Sequence, residues 1–450
     1  AQKGGKASML RLRMTGGCVT KEKLKFIADT IRTYNLKKAH FTTCQTIQLH
    51  DLQQEELCRI MEDALDVGIV TMGGGGDFPR NVMCSPLSGV EADEYFDVRP
   101  WAEAAGEYLM TFINAEKMPR KLKVCFSNSP KNIPHATYRD LGFVATKEGK
   151  FDVYSAGGLG NNYKMGVKVA ENVKPEEVLY YVEAMVRTFT TYGNYESRAK
   201  SRTRYMQETL GVEGYKKAYQ EKLLEVKAKF KDSLLIKSSV SAEQESNTEE
   251  SVVNIKEQES QLKNVAAYPQ TESASERVIT QKQAGLYAVA YHPVGGMVPA
   301  QKFEEIYEGI KNAAKAEVRV APDETLYIIN LNAQQAEKIH KITADGAKNL
   351  FETSVSCIGS TVCQIGLRDS QGLLASIVEA VEPYHFADGV LPRIHISGCP
   401  SSCGTHQIGK LGFRGASKSV NEKAEPAFAF YVNGQDTQGE ERFGEEWGVM

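Results

Sequence analysis

Two closely spaced pairs of cysteines near the C-terminus carry the strongest chemical signal in the sequence. Five residues separate Cys357 from Cys363, three separate Cys399 from Cys403, and a glycine flanks the second pair on each side. Four thiolates in two such pairs are a typical ligand set for a cubane iron–sulfur cluster. Adjacent glycines let the backbone approach the sulfides and donate hydrogen bonds to them. The spacing therefore predicts an iron–sulfur centre.

A zinc site and a set of buried structural thiols are the alternatives for these cysteines. Zinc ligands usually come in pairs separated by two to four residues, so the spacing of Cys357 and Cys363 is wide for zinc. Structural thiols rarely fall in two tight pairs flanked by glycine. The chain has nine cysteines and no secretion signal, so we expect reduced thiols or metal ligands and no disulfide framework.

Lys121 and Lys123 are a second set of candidate residues. Lys121 and Lys123 alternate along a predicted strand, so both side chains lie on one face and point toward one site. Arginine and lysine bind oxyanions, and lysine also relays protons. For each residue taken alone, a solvated surface charge is the alternative.

Two further segments carry groups that suit an anionic ligand. Residues 157–162 form a glycine-rich turn that includes Gly158 and Gly160, whose backbone N–H groups can donate to carboxylates. This turn lacks the lysine and the spacing of a nucleotide-binding loop. Residues 194–204 contain Asn194 and the basic residues Arg198, Lys200, Arg202 and Arg204, at a spacing that also suits a solvated helix face.

The elements that must position these residues repeat within the chain. The sequence Gly-Gly-Cys-Val at Gly16 recurs as Gly-Gly-Met-Val at Gly295, 279 residues later, and the match continues without a gap over some thirty-five positions. Each copy predicts the order strand, helix, strand, helix. A fainter duplication matches residues 118–123 with 391–396 and residues 141–143 with 411–413. Each half is thus predicted to be a small lobe followed by a larger αβ module.

Composition places the chain among globular proteins with several domains. Its 450 residues are too many for one core, and 42% are hydrophobic and 25% charged. A net charge of -3 argues against nucleic acid as the main partner, and no apolar run approaches the length of a membrane span. The first residues lack the apolar core of a signal peptide, so we expect a cytoplasmic protein.

The cysteine pattern, a C-x5-C pair followed by Gly-Cys-Pro-x-x-Cys-Gly, resembles the cluster signature of the sirohaem-dependent sulfite/nitrite reductases. Residues 9–17, 79–82 and 119–123 are similar to three other segments of that family, and residues 285–296 fit its second lobe. The resemblance covers nearly the whole chain apart from a polar stretch between the halves.

The resemblance assigns roles to individual residues. Cys403 would serve twice, as a ligand of a [4Fe-4S] cluster and as the axial ligand of the sirohaem iron. Arg80, Lys121 and Lys123 would hold the anionic substrate. Sirohaem carries eight carboxylates, so its pocket is expected to be basic. The other implied ligands of the cluster are Cys357, Cys363 and Cys399, and the implied cofactor-binding residues are Arg120, Asn194, Arg198, Gly158 and Gly160.

The resemblance also implies an α+β fold that is internally duplicated, with two ferredoxin-like lobes and two α/β-sandwich core modules around a central cofactor. The expected parts are a first lobe, a first core module for sirohaem and substrate, a polar mobile connector, a second lobe and a cluster-binding module. Family members usually continue past the position of Met450, so the last module is expected to be incomplete. The expected boundaries are 1–70, 71–230, 231–281, 282–345 and 346–450.

The implied activity is the six-electron reduction of sulfite to sulfide, with nitrite reduction to ammonia as a further possibility. Electrons would come from an external ferredoxin or flavoprotein, because the sequence has no flavin or nicotinamide fingerprint. Lys123 favours sulfite, since family members that act on nitrite often carry asparagine there, whereas residues 81–90 are more similar to the nitrite-type members.

One residue departs from the family pattern. Cys44 stands where the family motif Thr-x-Arg-Gln-Thr has an arginine that helps to bind the substrate. Cys44 is therefore a candidate site residue, and a nearby cation taking over from the arginine is the alternative. The departure also keeps open a catalytically altered iron–sulfur redox sensor, or an electron carrier, of the same fold.

Overall fold

The computed structural model describes residues 2–237 and 277–450, which form a mixed arrangement of helices and sheets. The helices in this part of the chain are α1 Lys21–Thr33, α2 Gln54–Asp66, α3 Arg99–Met110, α4 Val178–Tyr192, α5 Met206–Thr209, α6 Val212–Phe230, α7 Ala300–Ile310, α8 Ala333–Ile342 and α9 Ser370–Val381. The strands are β1 Ser8–Leu12, β2 Cys18–Val19, β3 Lys38–Phe41, β4 Ile47–Leu52, β5 Met83–Cys84, β6 Val124–Ser127, β7 Leu141–Ala145, β8 Phe151–Ser155, β9 Val167–Val173, β10 Val278–Thr280, β11 Tyr287–Tyr291, β12 Met297–Pro299, β13 Glu317–Val320, β14 Leu326–Leu331, β15 Val355–Ser356, β16 Ile394–Ser397, β17 Leu411–Val420, β18 Lys423–Val432 and β19 Glu445–Val449.

The two lobes repeat each other element by element. The starts of β1, α1, β3, β4 and α2 each lie 279 residues before the starts of β11, α7, β13, β14 and α8. Each first helix buries one apolar face, which in α1 includes Leu24, Ile27 and Ile31, and the Thr20 side chain caps its N-terminus. The duplication predicted from the sequence is therefore confirmed.

The lobes exchange one strand each. The sheet orders are β1-β4-β3-β12 and β10-β11-β14-β13-β2, so β12 of the second copy lies in the first sheet and β2 of the first copy lies in the second. The Gly-Gly motif permits this crossing. A Cβ at Gly17, where φ is +77°, would lie 2.1 Å from the carbonyl oxygen of Val320. A Cβ at the equivalent Gly296 would lie 3.0 Å from the carbonyl oxygen of Phe41.

Each lobe is followed by a five-stranded sheet, and the two sheets have the same order, β5-β6-β7-β8-β9 and β15-β16-β17-β18-β19. Val124 pairs with Leu141 in the first sheet and Ile394 pairs with Leu411 in the second, so the offset here is 270 residues (394 minus 124). The sequence match of residues 118–123 with 391–396 is therefore wrong by three residues. The Pro-Arg pair that both segments contain, at residues 119–120 and 392–393, lies at different distances from the strand that follows it. The register therefore makes Lys123 the equivalent of Arg393.

Two large hydrophobic cores fix these parts. One core runs through both lobes, where Phe41 packs edge-to-face on Phe303 with ring centroids 6.0 Å apart. The other fills the first core module, where Phe126 stacks on Phe143 at 4.5 Å. Because one core is common to both lobes, it stabilises the loops of both lobes that contact the core modules.

Most of the predicted connector lies outside the described residues. Its first residues continue from α6 into a short 3-10 turn, Lys231–Leu234, and its last residues include β10, which belongs to the sheet of the second lobe. Within residues 2–237 and 277–450, no helix is long and apolar enough to cross a membrane.

Candidate functional site

The four predicted cluster cysteines lie on loops that follow the adjacent parallel strands β15 and β16. The Sγ of Cys357 accepts a hydrogen bond from the backbone N–H of Gly398 at 3.2 Å, so the two loops meet at this sulfur. Burial raises the pKa of the Cys357 thiol to about 12, and the negative charge of Cys403 adds to the rise. Cys399 is buried, Cys363 is half-buried and Cys403 is exposed at its loop.

This cysteine arrangement does not form a site for one metal ion. In the described ranges, no three His, Cys, Asp or Glu side chains lie close enough together to hold a single ion. A cubane cluster distributes its four cysteines over four irons, so its ligands stand further apart than those of one zinc ion. The assignment of the four cysteines as cluster ligands stays a prediction.

The turn between β3 and β4 contacts two other parts of the site: the loop from Cys399 to Cys403, called the cluster loop, and residues 121–123, called the lysine segment. The Thr43 hydroxyl donates to the carbonyl oxygen of Cys403 at 2.7 Å. The Lys123 Nζ donates to the Sγ of Cys44 at 3.1 Å. Gln45, with φ of +53°, donates from its side chain to carbonyl oxygens of β5 and β13 at 2.9 and 2.8 Å. The turn is thus fixed between both lobes and the first core module.

The predicted cations Arg80, Lys121 and Lys123 share one electrostatic environment. Burial and then neighbouring cations lower the pKa of Lys121 to about 7. Burial also lowers the pKa of Lys123, against the opposing negative charges of Cys44 and Cys403. Burial lowers the pKa of Arg80 to about 10, and other arginines add to the effect. The structure therefore brings the three cations together with Cys44 and Cys403, and their mutual repulsion favours an anion among them.

The pKa of the Cys44 thiol is lowered in this environment. Burial opposes its ionisation, but the positive charges of Lys123, Arg139 and Arg11, together with the hydrogen bond from Lys123, lower the pKa of the thiol to about 6. A thiol with this pKa is mostly thiolate at neutral pH.

Two residues of this site, Asp140 and Arg139, were not among the sequence predictions for it. Asp140 is fully buried and accepts hydrogen bonds from Nη2 of Arg202 at 2.9 Å and from the backbone N–H of Lys123 at 2.8 Å. Arg139 donates from Nε to the carbonyl oxygen of Pro134 at 3.1 Å. Arg139 and Asp140 stand just before β7, and only the pairing of β7 with β6 brings them beside Lys123.

Three predicted cofactor-binding residues have protein partners. Arg120 and Arg198 both form ion pairs with Asp77 at 2.7 Å. The side-chain oxygen of Asn194 accepts hydrogen bonds from the backbone N–H groups of Glu196 and Ser197 at 2.9 and 2.7 Å. These contacts stabilise the local loops, and a contact of these residues with a cofactor stays a prediction.

The two predicted glycines lie at the edge of the same site. The backbone N–H of Gly160 donates to the Gln407 side chain at 3.1 Å, and a Cβ at Gly160 would lie 3.4 Å from the carbonyl oxygen of Pro400 in the cluster loop. A Cβ at Gly158 would lie 3.3 Å from Nη1 of Arg204. Side chains at these positions would crowd the loop and the arginine, and a role in binding carboxylates stays a prediction.

The residues present fit an anionic tetrapyrrole beside an iron–sulfur cluster. Four arginines around these residues have a buried guanidinium nitrogen without a hydrogen-bond partner in the described protein, and leaving such donors unpaired is costly. Carboxylates or an oxyanion would supply the missing acceptors. These unpaired atoms are Nε of Arg80, Nη2 of Arg139, Nε of Arg202 and Nη1 of Arg204.

Comparison with known proteins gives the same assignment. A family model described as the nitrite/sulfite reductase ferredoxin-like half domain matches residues 1–67, and one described as the nitrite and sulphite reductase 4Fe-4S domain matches residues 75–227. The ferredoxin–nitrite reductase of Arabidopsis thaliana is 23% identical over 95% of this chain and 70% of its own length. The ferredoxin–nitrite reductase of Synechococcus elongatus is 26% identical, over 91% and 76%.

Two further similar proteins extend the comparison. The sulfite reductase [NADPH] hemoprotein beta-component of Anoxybacillus flavithermus is 22% identical over 91% of this chain and 74% of its own length. The structure of the NirA protein of Mycobacterium tuberculosis superposes with a TM-score of 0.79, at 22% identity, over 99% of this chain and 78% of that one, and thus has the same fold.

The chain belongs to the sirohaem-dependent nitrite and sulphite reductase family. It is an oxidoreductase of the sulfite/nitrite reductase class, and the cofactors of this class are sirohaem and a [4Fe-4S] cluster.

Proposed function

We propose that this chain catalyses the six-electron reduction of sulfite to sulfide, with nitrite reduction to ammonia as a further activity. One observation carries the proposal: Nζ of Lys123 lies 3.1 Å from Sγ of Cys44, in the turn that contacts Cys403, and the charges of Arg80 and Lys121 act on the same group of residues. An electron carrier or sensor needs no such cationic set, whereas a reductase must hold an anion and deliver protons to the oxygens that leave as water.

The three cationic side chains have different roles in binding the anion and in proton transfer. Arg80, fixed by hydrogen bonds to the carbonyl oxygens of Gly74 and Gly76 at 2.7 and 2.9 Å, holds the anion as a permanent charge. Lys121, with its pKa of about 7, gains and loses a proton near neutral pH and relays protons to the substrate. Lys123, which lies just before β6, binds the anion together with Lys121.

The cofactor assignment follows the same reasoning. Cys357, Cys363 and Cys399 would hold the cluster, and Cys403 would hold both the cluster and the sirohaem. The bound cofactors supply the electrons one at a time. The exposure of Cys403 and the contact of its carbonyl group with Thr43 support this placement.

The electron donor is proposed to be a reduced ferredoxin, because several relatives are named ferredoxin–nitrite reductases. A flavoprotein is the other candidate, since one relative is named as the haemoprotein component of an NADPH-dependent sulfite reductase.

The test is product analysis with the purified holoenzyme and a reduced artificial donor. Sulfide should form from sulfite, or ammonium from nitrite, with six electrons consumed for each molecule of product. The visible spectrum should show an intense Soret band. A protein that accepts electrons into its cofactors but reduces neither anion would contradict the proposal and favour the electron carrier.

A further inference from the structure

Cys44 stands where the family resemblance leads us to expect an arginine, and its side chain contacts a lysine. Its Sγ lies 3.1 Å from Nζ of Lys123. Positive charges face this sulfur from three other places in the fold, namely Arg11 on β1, Arg139 before β7 and Arg80 before β5. The thiol of Cys125 on β6 also lies within electrostatic range.

The second half of the chain has an ion pair at the equivalent positions. The lobe offset of 279 residues relates Cys44 to Asp323, and the module offset of 270 relates Lys123 to Arg393. Nη1 of Arg393 lies 2.9 Å from Oδ2 of Asp323. Burial would raise the pKa of Asp323, but Arg393 and other partners lower it, so this carboxyl group is ionised. The repeated backbone thus places an acid against a base in one half, and in the other half the thiol has the place of the acid.

We propose that Cys44 is the anionic partner of Lys123 in the substrate pocket and that this pair makes the pocket select singly charged oxyanions, nitrite and hydrogensulfite, over the sulfite dianion. The inference rests on the proposed function and names the form of substrate that the site takes. A thiolate in place of an arginine lowers the net charge of the pocket by two units. Because attraction scales with the charge of the ligand, the loss weighs twice as much on a dianion as on a monoanion.

The experiment compares anion binding by three variants of the full-length holoenzyme at alkaline pH, where sulfite is a dianion. Cys44→Ser removes the charge with almost no change in size. Cys44→Asp keeps a negative charge and copies the residue found in the other half of the chain. Cys58→Ser is the matched control, because Cys58 is an exposed thiol on α2. The Kd values of nitrite and sulfite are measured from the shift of the Soret band in the oxidised protein.

We expect Cys44→Ser to lower the Kd of sulfite relative to that of nitrite by on the order of tenfold. Cys44→Asp and Cys58→Ser should keep the wild-type ratio. An unchanged ratio in Cys44→Ser, or an equal change in the Ser and Asp variants, would overturn the inference, as would a wild-type pocket that binds neither anion. Binding is measured apart from turnover. A wild-type protein that binds both anions but reduces neither would therefore contradict the proposed function and leave the charge comparison valid.

Discussion

Asp140 is expected to stabilise the cationic site through its contacts with Arg202 and Lys123. Its side chain has no exposed surface, and its two oxygens accept hydrogen bonds from Nη2 of Arg202 at 3.0 and 2.9 Å. The same carboxylate accepts hydrogen bonds from the hydroxyl of Thr203 and from the backbone N–H of Lys123. Replacing Asp140 with Asn removes the charge and leaves a group of the same shape.

The expected cost follows from the burial of the pair. Removing one partner of a buried ion pair typically costs about 3–5 kcal/mol, because the other charge stays buried without compensation. Arg202 retains 17% of its side-chain exposure, and asparagine still offers one acceptor oxygen. We therefore expect Asp140→Asn to lower the free energy of unfolding by about 3 kcal/mol, at the low end of that range.

The assay is equilibrium unfolding in urea followed by the fluorescence of Trp101. This tryptophan is buried in the same core module, with its ring 6.1 Å from that of Phe151. Asp152→Asn is the control, because Asp152 pairs at 3.0 Å with Lys168, whose side chain is 38% exposed. Such a pair contributes less than about 1 kcal/mol. If both variants lose the same stability, the buried pair is not what holds this site, and the reasoning fails.

Three other predictions concern the site itself. Cys403→Ser should remove the electronic coupling between haem and cluster together with the cluster, while Cys18→Ser should leave the cofactors intact; a coupled spectrum retained in Cys403→Ser would show that the axial ligand is another residue. Cys44→Arg should lower the apparent KM for the anion by on the order of ten- to a hundredfold, since it adds a charge-assisted contact, and steady-state kinetics with an unchanged or raised KM would place Cys44 away from the substrate. Because the pKa of Lys121 is about 7 and only its protonated form attracts anions, anion affinity should fall as the pH rises through that value; a Soret titration of Lys121→Met should lose this step, and a step that remains belongs to another group.

The sequence was sufficient for features that depend on local spacing. The offset between Gly16 and Gly295 gave the duplication of the lobes, because identical elements begin at the same distance from the motif in both copies. Arg139 and Asp140 were missed as site residues because neither forms a pattern with its sequence neighbours. Their place beside Lys123 comes from the pairing of β6 with β7, and register between strands cannot be read from the residues of one strand.

The cluster loop shows how one repeated backbone carries chemistry in only one half. At the module offset of 270 residues, left-handed residues recur in both loops, at Asn132 and Ser402 with φ of +52° and +54°, and again at residues 135 and 405. The same offset makes Ser129 the equivalent of Cys399 and Ile133 the equivalent of Cys403. The first half therefore has the shape of the cluster loop without its two sulfurs.

The two halves also differ in their charged residues at equivalent positions. Lys121 has Leu391 as its equivalent, and the positive charge of Arg393 is compensated by Asp323 at 2.9 Å. At these two positions the second half therefore has one neutral residue and one compensated cation where the first half has two lysines. If the backbone alone determined binding, two equivalent sites would follow from the duplication. The side-chain differences make the two halves unequal: the first half carries Arg80, Lys121 and Lys123, the second carries the loop from Cys399 to Cys403, and Thr43 joins the two by its hydrogen bond to Cys403.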